Sequence, residues 1–135
     1  MNDIETEQMQ AIMGLIVNAG NARGFAKEAI DAAREKNFAE ARSKLDEANS
    51  ALNDAHNSQT AMLTKEASGD HVPLTLLMVH SQDHLMTAIT YIDLAKELVA
   101  VYERIYKYIW NRDAIHCWTA SLLWCKNDYM FKQVA

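Results

Sequence analysis

The chain has 135 residues, half of them hydrophobic and 23% charged, with a net charge of −5 at neutral pH. That length holds one domain; the composition supplies a core and excludes a disordered segment, and the acidic balance excludes nucleic acid, whose phosphates need a basic stripe. One proline and four glycines leave too few turn-formers for a many-stranded architecture, so an all-α fold is expected.

In the first forty residues Met9, Ile12, Met13, Ile16, Gly20, Ala26, Ala29, Ile30 and Ala33 recur at helical spacing, which predicts one long helix ending near Lys36. Gly14, Gly20 and Gly24 weaken it locally and predict a close approach by another helix. Asn37 reads as the next N-cap, with Glu40 as the other half of a capping box. The second helix carries a heptad seam of Phe38, Ala41, Leu45, Ala48, Leu52, Ala55, Gln59 and Met62, with Gln59 as its one polar member. Ser68-Gly69-Asp70 should end it, and Pro73 suits the first turn of a third helix. In that helix the expected seam runs Leu74, Leu77, Ser81, His84, Ala88, Tyr91, Ala95, Leu98, Tyr102 and Ile105.

Two short connections between three long helices give an antiparallel up-down-up three-helix bundle. Thirty helical residues span about 45 Å, and three such narrow rods bury less than a globule does. Association into a larger bundle is therefore expected. Residues 1–106 form this domain and carry nine Lys/Arg against sixteen Asp/Glu; residues 107–135 carry four against two. All three tryptophans and both cysteines fall in this tail. It shows no clear period and reads as a weakly helical appendage of unassigned role. No apolar stretch reaches membrane-spanning length and no basic-then-apolar leader opens the chain, so a soluble cytoplasmic protein is expected. Cys117 and Cys125 are then free thiols.

The chemistry concentrates in His80-Ser81-Gln82-Asp83-His84. On a helix Asp83 and His84 lie three and four residues from His80, near one face. Imidazole titrates near pH ~6.5, keeps a nucleophilic nitrogen at neutral pH, and forms a phosphoramidate of high transfer potential. A phosphoryl carrier needs little beyond that nucleophile, a docking surface and donors for the transferred oxygens. On spacing alone, a helical histidine is more often an ordinary surface or seam residue. The same segment fits H-x-x-[DE]-H, close to a zinc-protease signature, but its acid is Asp and its third ligand is arbitrary, Glu103 being one candidate. Asp83 by itself reads as a solvated charge, and His56 as an interhelical hydrogen-bonded residue. His71 and His116 have no evident partner.

Three segments go further than spacing. Met13-Gly14-Leu15-Ile16-Val17-Asn18-Ala19-Gly20-Asn21-Ala22-Arg23, Ala51-Leu52-Asn53-Asp54-Ala55-His56-Asn57-Ser58-Gln59-Thr60 and Val79-His80-Ser81-Gln82-Asp83-His84-Leu85-Met86-Thr87 resemble, in order and separation, the lactose/cellobiose/diacetylchitobiose enzyme IIA family of the sugar phosphotransferase system. The resemblance covers about residues 8 to 106. It implies a trimer of three-helix subunits, with His80 phosphorylated on Nε2 by the carrier HPr and discharged to a cysteine of enzyme IIB. It places Asp83 on the trimer axis with a divalent cation, Mg²⁺ being the expected ion, and Gln82 and His84 beside the phosphoryl group. It implies no organic cofactor, and contact with a membrane only through the sugar permease subunit, which binds the cellobiose, chitobiose or lactose. The rival readings are a small zinc-dependent hydrolase using His80, Asp83 and His84, and a structural coiled-coil adaptor.

Overall fold

The computed structural model describes residues 3–131, with side chains for residues 6–110. The described residues form three helices: α1 (Asp3–Arg34), α2 (Phe38–Ala67) and α3 (Leu76–Phe131). They form the expected antiparallel bundle, and among the described residues no strand is present. α1 packs extensively against both partners, whereas α2 and α3 meet over a smaller area.

Each connection is built by the same device. At the end of α1 the Asn37 N–H donates to the Ala32 carbonyl at 2.9 Å and the Lys36 N–H to that of Ala33 at 3.0 Å. This pair of bonds closes a helix by turning one residue left-handed, and here that residue is Lys36, at φ 65°. Asn37 then caps α2, its side-chain oxygen accepting from the Glu40 N–H at 3.4 Å. The reciprocal half of the capping box is altered because the Asn37 N–H is already spent on Ala32. Glu40 instead accepts from the Asn37 side-chain amide at 2.6 Å. At the end of α2 the Asp70 and Gly69 N–H groups repeat the pattern on Lys65 and Glu66, with Gly69 at φ 88°. There the left-handed residue is glycine, which adopts it without steric cost.

α3 starts later than the proline suggests. Thr75 caps it, its hydroxyl accepting from the Met78 N–H at 3.1 Å, so Pro73 and Leu74 precede the helix. α3 then crosses residue 106 without a break and continues through Phe131. The change of composition at 107 is not matched by a helix end. Phe38 meets Tyr106 at 5.6 Å between ring centroids, which sets the α1–α2 turn level with Tyr106. The remaining length of α3 projects past that turn by about 38 Å at 1.5 Å per residue.

The core is made of small residues. Among the described residues seventeen hydrophobic side chains are buried, ten of them alanines, and Leu15, Leu85 and Ile92 are the largest with no exposed surface. Alanine at contact positions lets helices approach closely. On α2 the seam is as expected: Ala41, Ala48, Ala55 and Met62 are buried and Phe38, Leu45 and Leu52 pack beside them. On α1 the core members are Ile12, Leu15, Ala19, Ala22, Ala26, Ala29 and Ala33, while Met9 and Met13 are exposed. The three α1 glycines do not receive a helix of their own chain, since a Cβ at Gly14, Gly20 or Gly24 would meet nothing within 4 Å. On α3 the inward members are Met78, Ser81, Leu85, Ala88, Ile92, Ala95 and Val99. Ser81, Ala88 and Ala95 agree with the expected seam, but Leu77, His84, Tyr91 and Leu98 are each displaced by the next residue along. Neighbouring positions are both suitable there, and the packing of α1 selects the second.

Among the described residues no helix is long and apolar enough to cross a membrane.

A candidate phosphoryl-carrying site on α3

His80 is the fifth residue of α3 and is exposed. Ser81, the next residue, is fully buried, its hydroxyl donating to the Met78 carbonyl at 2.7 Å. Successive helical residues are turned by about 100°, so anchoring Ser81 inward leaves His80 at the edge of the bundle surface. The imidazole leans toward the start of α3, because helical side chains point back toward the N-terminus. That end carries the positive pole of the helix dipole.

His84, one turn on, is half-buried. Its ring meets that of His80 edge-on, with centroids 4.5 Å apart and planes at 69°. The His84 Nδ1 is buried and has no hydrogen-bond partner among the described residues. An unpaired buried polar atom costs roughly 1–3 kcal/mol. Nε2 is then the ring nitrogen of His84 left to meet a group held beside His80.

Asp83 is exposed on the same side, three residues from His80 and flanked along α3 by the exposed Val79 and Met86. Gln82 is turned the other way. Its Oε1 accepts from the Gln59 Nε2 at 2.5 Å and its amide approaches the Met78 sulfur at 3.6 Å. Two residues from His80 is about 200° around the helix, so Gln82 ties α3 to α2; to serve the imidazole it would have to leave Gln59. The polar interruption at Gln59 is the sequence signal for this pair, readable only once Gln82 is known to face it. The interhelical bond expected of His56 is made by Gln59 instead, and His56 is exposed.

Just before α3, Glu66 holds the connection. It accepts from the Val72 N–H at 2.9 Å and pairs with His71 Nδ1 at 2.8 Å. The Val72 hydrogen bond, and after it His71, hold the Glu66 carboxyl below its ordinary range. A cleft of about 290 Å³ opens at this end of the bundle, lined among others by Glu7, Lys65, His71 and Pro73; His80 does not line it.

Among the described residues, no group of three or more His, Cys, Asp or Glu side chains within the chain could hold a metal ion. Glu103, a candidate third ligand for a zinc site, pairs with Arg42 about 35 Å along α3 from His80 at 1.5 Å per residue. The hydrolase reading thus finds no ligand set among the described residues. A metal at Asp83 would have to draw carboxylates from further copies of the chain.

His80 thus stands on an open face of the bundle, away from the cleft, where a macromolecular partner can reach it. Residues 10–103 match the family model for the lactose/cellobiose-specific IIA subunit of the phosphotransferase system. The galactose-specific EIIA component of Lactococcus lactis subsp. cremoris is 46% identical over 104 residues, covering 77% of this chain and 90% of that protein. The crystal structure of the cellobiose-specific enzyme IIA from Bacillus anthracis superposes with a TM-score of 0.74 at 38% identity, covering 79% of this chain and 94% of that one. A solution structure of the chitobiose IIA of Escherichia coli in complex with HPr superposes with a TM-score of 0.66 at 35% identity, covering 73% and 96%. The chain belongs to the lactose/cellobiose-specific IIA family of the phosphotransferase system, and its role is in phosphoryl transfer for sugar uptake.

Proposed function

We propose that His80 is the phosphoryl acceptor, receiving the group from HPr and passing it to a cysteine of enzyme IIB, in the cytoplasm, for uptake of a β-linked disaccharide. The exposed His80 imidazole with the His84 ring packed against it is the observation that carries this reading. In the first step the His80 Nε2 lone pair forms a bond to phosphorus as the bond to the donor imidazole breaks and its electron pair returns to the donor ring. In the second a thiolate of enzyme IIB takes the phosphoryl group, and the electron pair returns to His80. Positioning and hydrogen bonds stabilise such in-line transfers. The N–H of His84 supplies one donor, and the nearby α3 N-terminus favours the added negative charge by about 0.3–1 kcal/mol. The solved neighbour bound to HPr supports the donor assignment. The sugar stays at the level of class because the relatives' names span galactose, cellobiose and chitobiose, and the sugar itself is bound by the permease. The function resides in residues 1–106, which enclose the family match.

The same reading makes the working unit a homotrimer. Val79, Met86, Leu94, Leu98, Val101 and Ile105 are all about half exposed on the outer side of α3. So large an apolar surface on one helix marks a protein interface. Asp83 falls within it. Three copies of Asp83 meeting on an axis would repel one another unless a cation lay between them, and carboxylate oxygens are hard ligands suited to Mg²⁺. The residues therefore fit a divalent ion only in the assembled protein.

The test is incubation with phosphoenolpyruvate, enzyme I and HPr, read by intact mass. The wild type should gain one acid-labile phosphate and His80→Ala none. A His80→Ala protein that still gains the full phosphate would transfer the assignment to His84 or His56. A wild type that gains none would leave the structural adaptor.

A further inference from the structure

The family match ends at residue 103, yet α3 runs on to Phe131 as one helix. Among the described side chains near that boundary, Leu94, Val101 and Tyr108 are 58%, 47% and 70% exposed. They are seven residues apart. In the sequence the same interval continues through Ile115, Leu122 and Tyr129. A second row accompanies it in the tail at Trp118 and Cys125, each three residues after a member of the first; Leu98 and Ile105, both about half exposed, stand four residues after Leu94 and Val101, one place further round the helix. Before Trp118 the second row holds Asn111, a polar member of the kind that fixes register in paired helices. Carried on from Leu98 and Ile105, the interval of seven meets Arg112 and Thr119 and fails; carried on from Leu94 and Val101, it gives residues 107–135 a heptad.

No other helix of the chain can cover this part of α3. The α1–α2 turn lies level with Tyr106, and both helices run back from it toward the His80 end. A helix projecting about 38 Å beyond its own bundle with an apolar row on one side needs a partner from outside the chain. We propose that this partner is a second and third copy of the same chain, the α3 extensions winding into a parallel coiled-coil stalk. The proposal rests on the reading above that copies associate through the outer face of α3. A closed cyclic assembly around that face sets the three α3 helices parallel, so their extensions leave the same end side by side. The partner surface is then the same heptad row, continuous with the interface that Leu94 and Val101 begin.

The two cysteines supply the test, since the heptad treats them differently. Counting Leu94, Val101, Tyr108, Ile115 and Leu122 as the first position of successive heptads, Cys125 takes the fourth, an inward position, and Cys117 the third, an outward one. A disulfide requires Cα atoms within about 7 Å, which parallel in-register helices provide only at the seam. Full-length Cys117→Ser and Cys125→Ser are each oxidised with copper–phenanthroline and resolved on a non-reducing gel. The protein retaining Cys125 should form chain pairs at least about tenfold faster than the one retaining Cys117, because only seam thiols fall within bonding range. Adding Leu122→Glu to the Cys117→Ser chain should remove that cross-link while the HPr-dependent phosphate on His80 remains. Equal rates from the two cysteines, no pairing through Cys125, or pairing that survives Leu122→Glu overturns the stalk. Phosphate uptake is read separately, so a failed stalk and a failed carrier are different results.

Discussion

Ile92 and Leu94 stand two residues apart on α3, the first with no exposed surface and the second 58% exposed. They mark two faces of one helix. The inner face meets largely alanines: Ala88 packs with Ala19 and Ala55, and Ile92 and Ala95 with Ala22, Ala26 and Ala48. The outer face holds Val79, Met86, Leu94 and Val101, larger side chains than most of those the bundle buries. A protein working as a monomer would put its large apolar residues inside, because burial contributes in proportion to area. On the reading proposed above the three-helix bundle is a subunit, its close alanine packing setting the helices and its outer face left for other copies.

The contrast is broken most severely from inside. Ile92→Ala should cost about 2–5 kcal/mol of unfolding free energy, as buried aliphatic truncations do, whereas Leu94→Ala should cost the isolated subunit far less. Urea unfolding at high and low protein concentration separates them. The Ile92→Ala loss should appear at both concentrations, and the Leu94→Ala loss only where copies are assembled. Equal costs at low concentration would mean that Leu94 is buried within its own chain.

A charge on the outer face comes next. Leu94→Glu should weaken self-association by at least about tenfold, because each 1.4 kcal/mol of lost burial or added desolvation is a factor of ten. Helix content should not change. Sedimentation velocity and circular dichroism on the same samples check both statements, and an unshifted association constant would show that the assembly uses another face.

These two faces also explain what could be read from sequence and what could not. α2 has one apolar face, and its seam of Ala41, Ala48, Ala55 and Met62 was legible residue by residue. α3 has two, so at 77/78, 84/85, 91/92 and 98/99 adjacent positions both satisfy a helical period, and periodicity cannot say which is inward. The same doubling hid the tail, because the expected seam through Leu98 and Ile105 carries on to Arg112 and Thr119, and the row through Leu94 and Val101 is the one that continues. At the site, His80, Asp83 and His84 were legible as a segment. The burial of His84 and the Gln59–Gln82 bond were not, because both depend on how α2 and α3 are turned about their axes.

Asp83 sharpens the comparison as the one charge amid the outer apolar row. Asp83→Leu should remove divalent-ion binding and leave the protein assembled, with a melting temperature raised by a few degrees, as when buried charges give way to packed apolar groups. EDTA should lower the melting temperature of the wild type and leave that of the variant unmoved. A variant that falls apart at micromolar concentration would mean that carboxylates and metal, and not the apolar row, hold the copies together.

The smallest effect lies where α3 begins, before its faces diverge. The Glu66 carboxylate accepts from the Val72 N–H and pairs with His71, and both hold its pKa below the ordinary 4.5. A depressed carboxyl contributes stability that is present in full above that ordinary value and is lost as the pH falls through the lower folded-state value. Because Glu66 is exposed, solvent screening keeps the contribution small. Glu66→Gln should therefore melt slightly below the wild type at pH 7, and the gap should close as the pH is taken down through the lowered Glu66 value, below the ordinary 4.5. Since Glu66 touches neither face of α3, the gap should be the same whether copies are assembled or apart. A gap that grows with protein concentration would show that the connection before α3 takes part in the contact between copies.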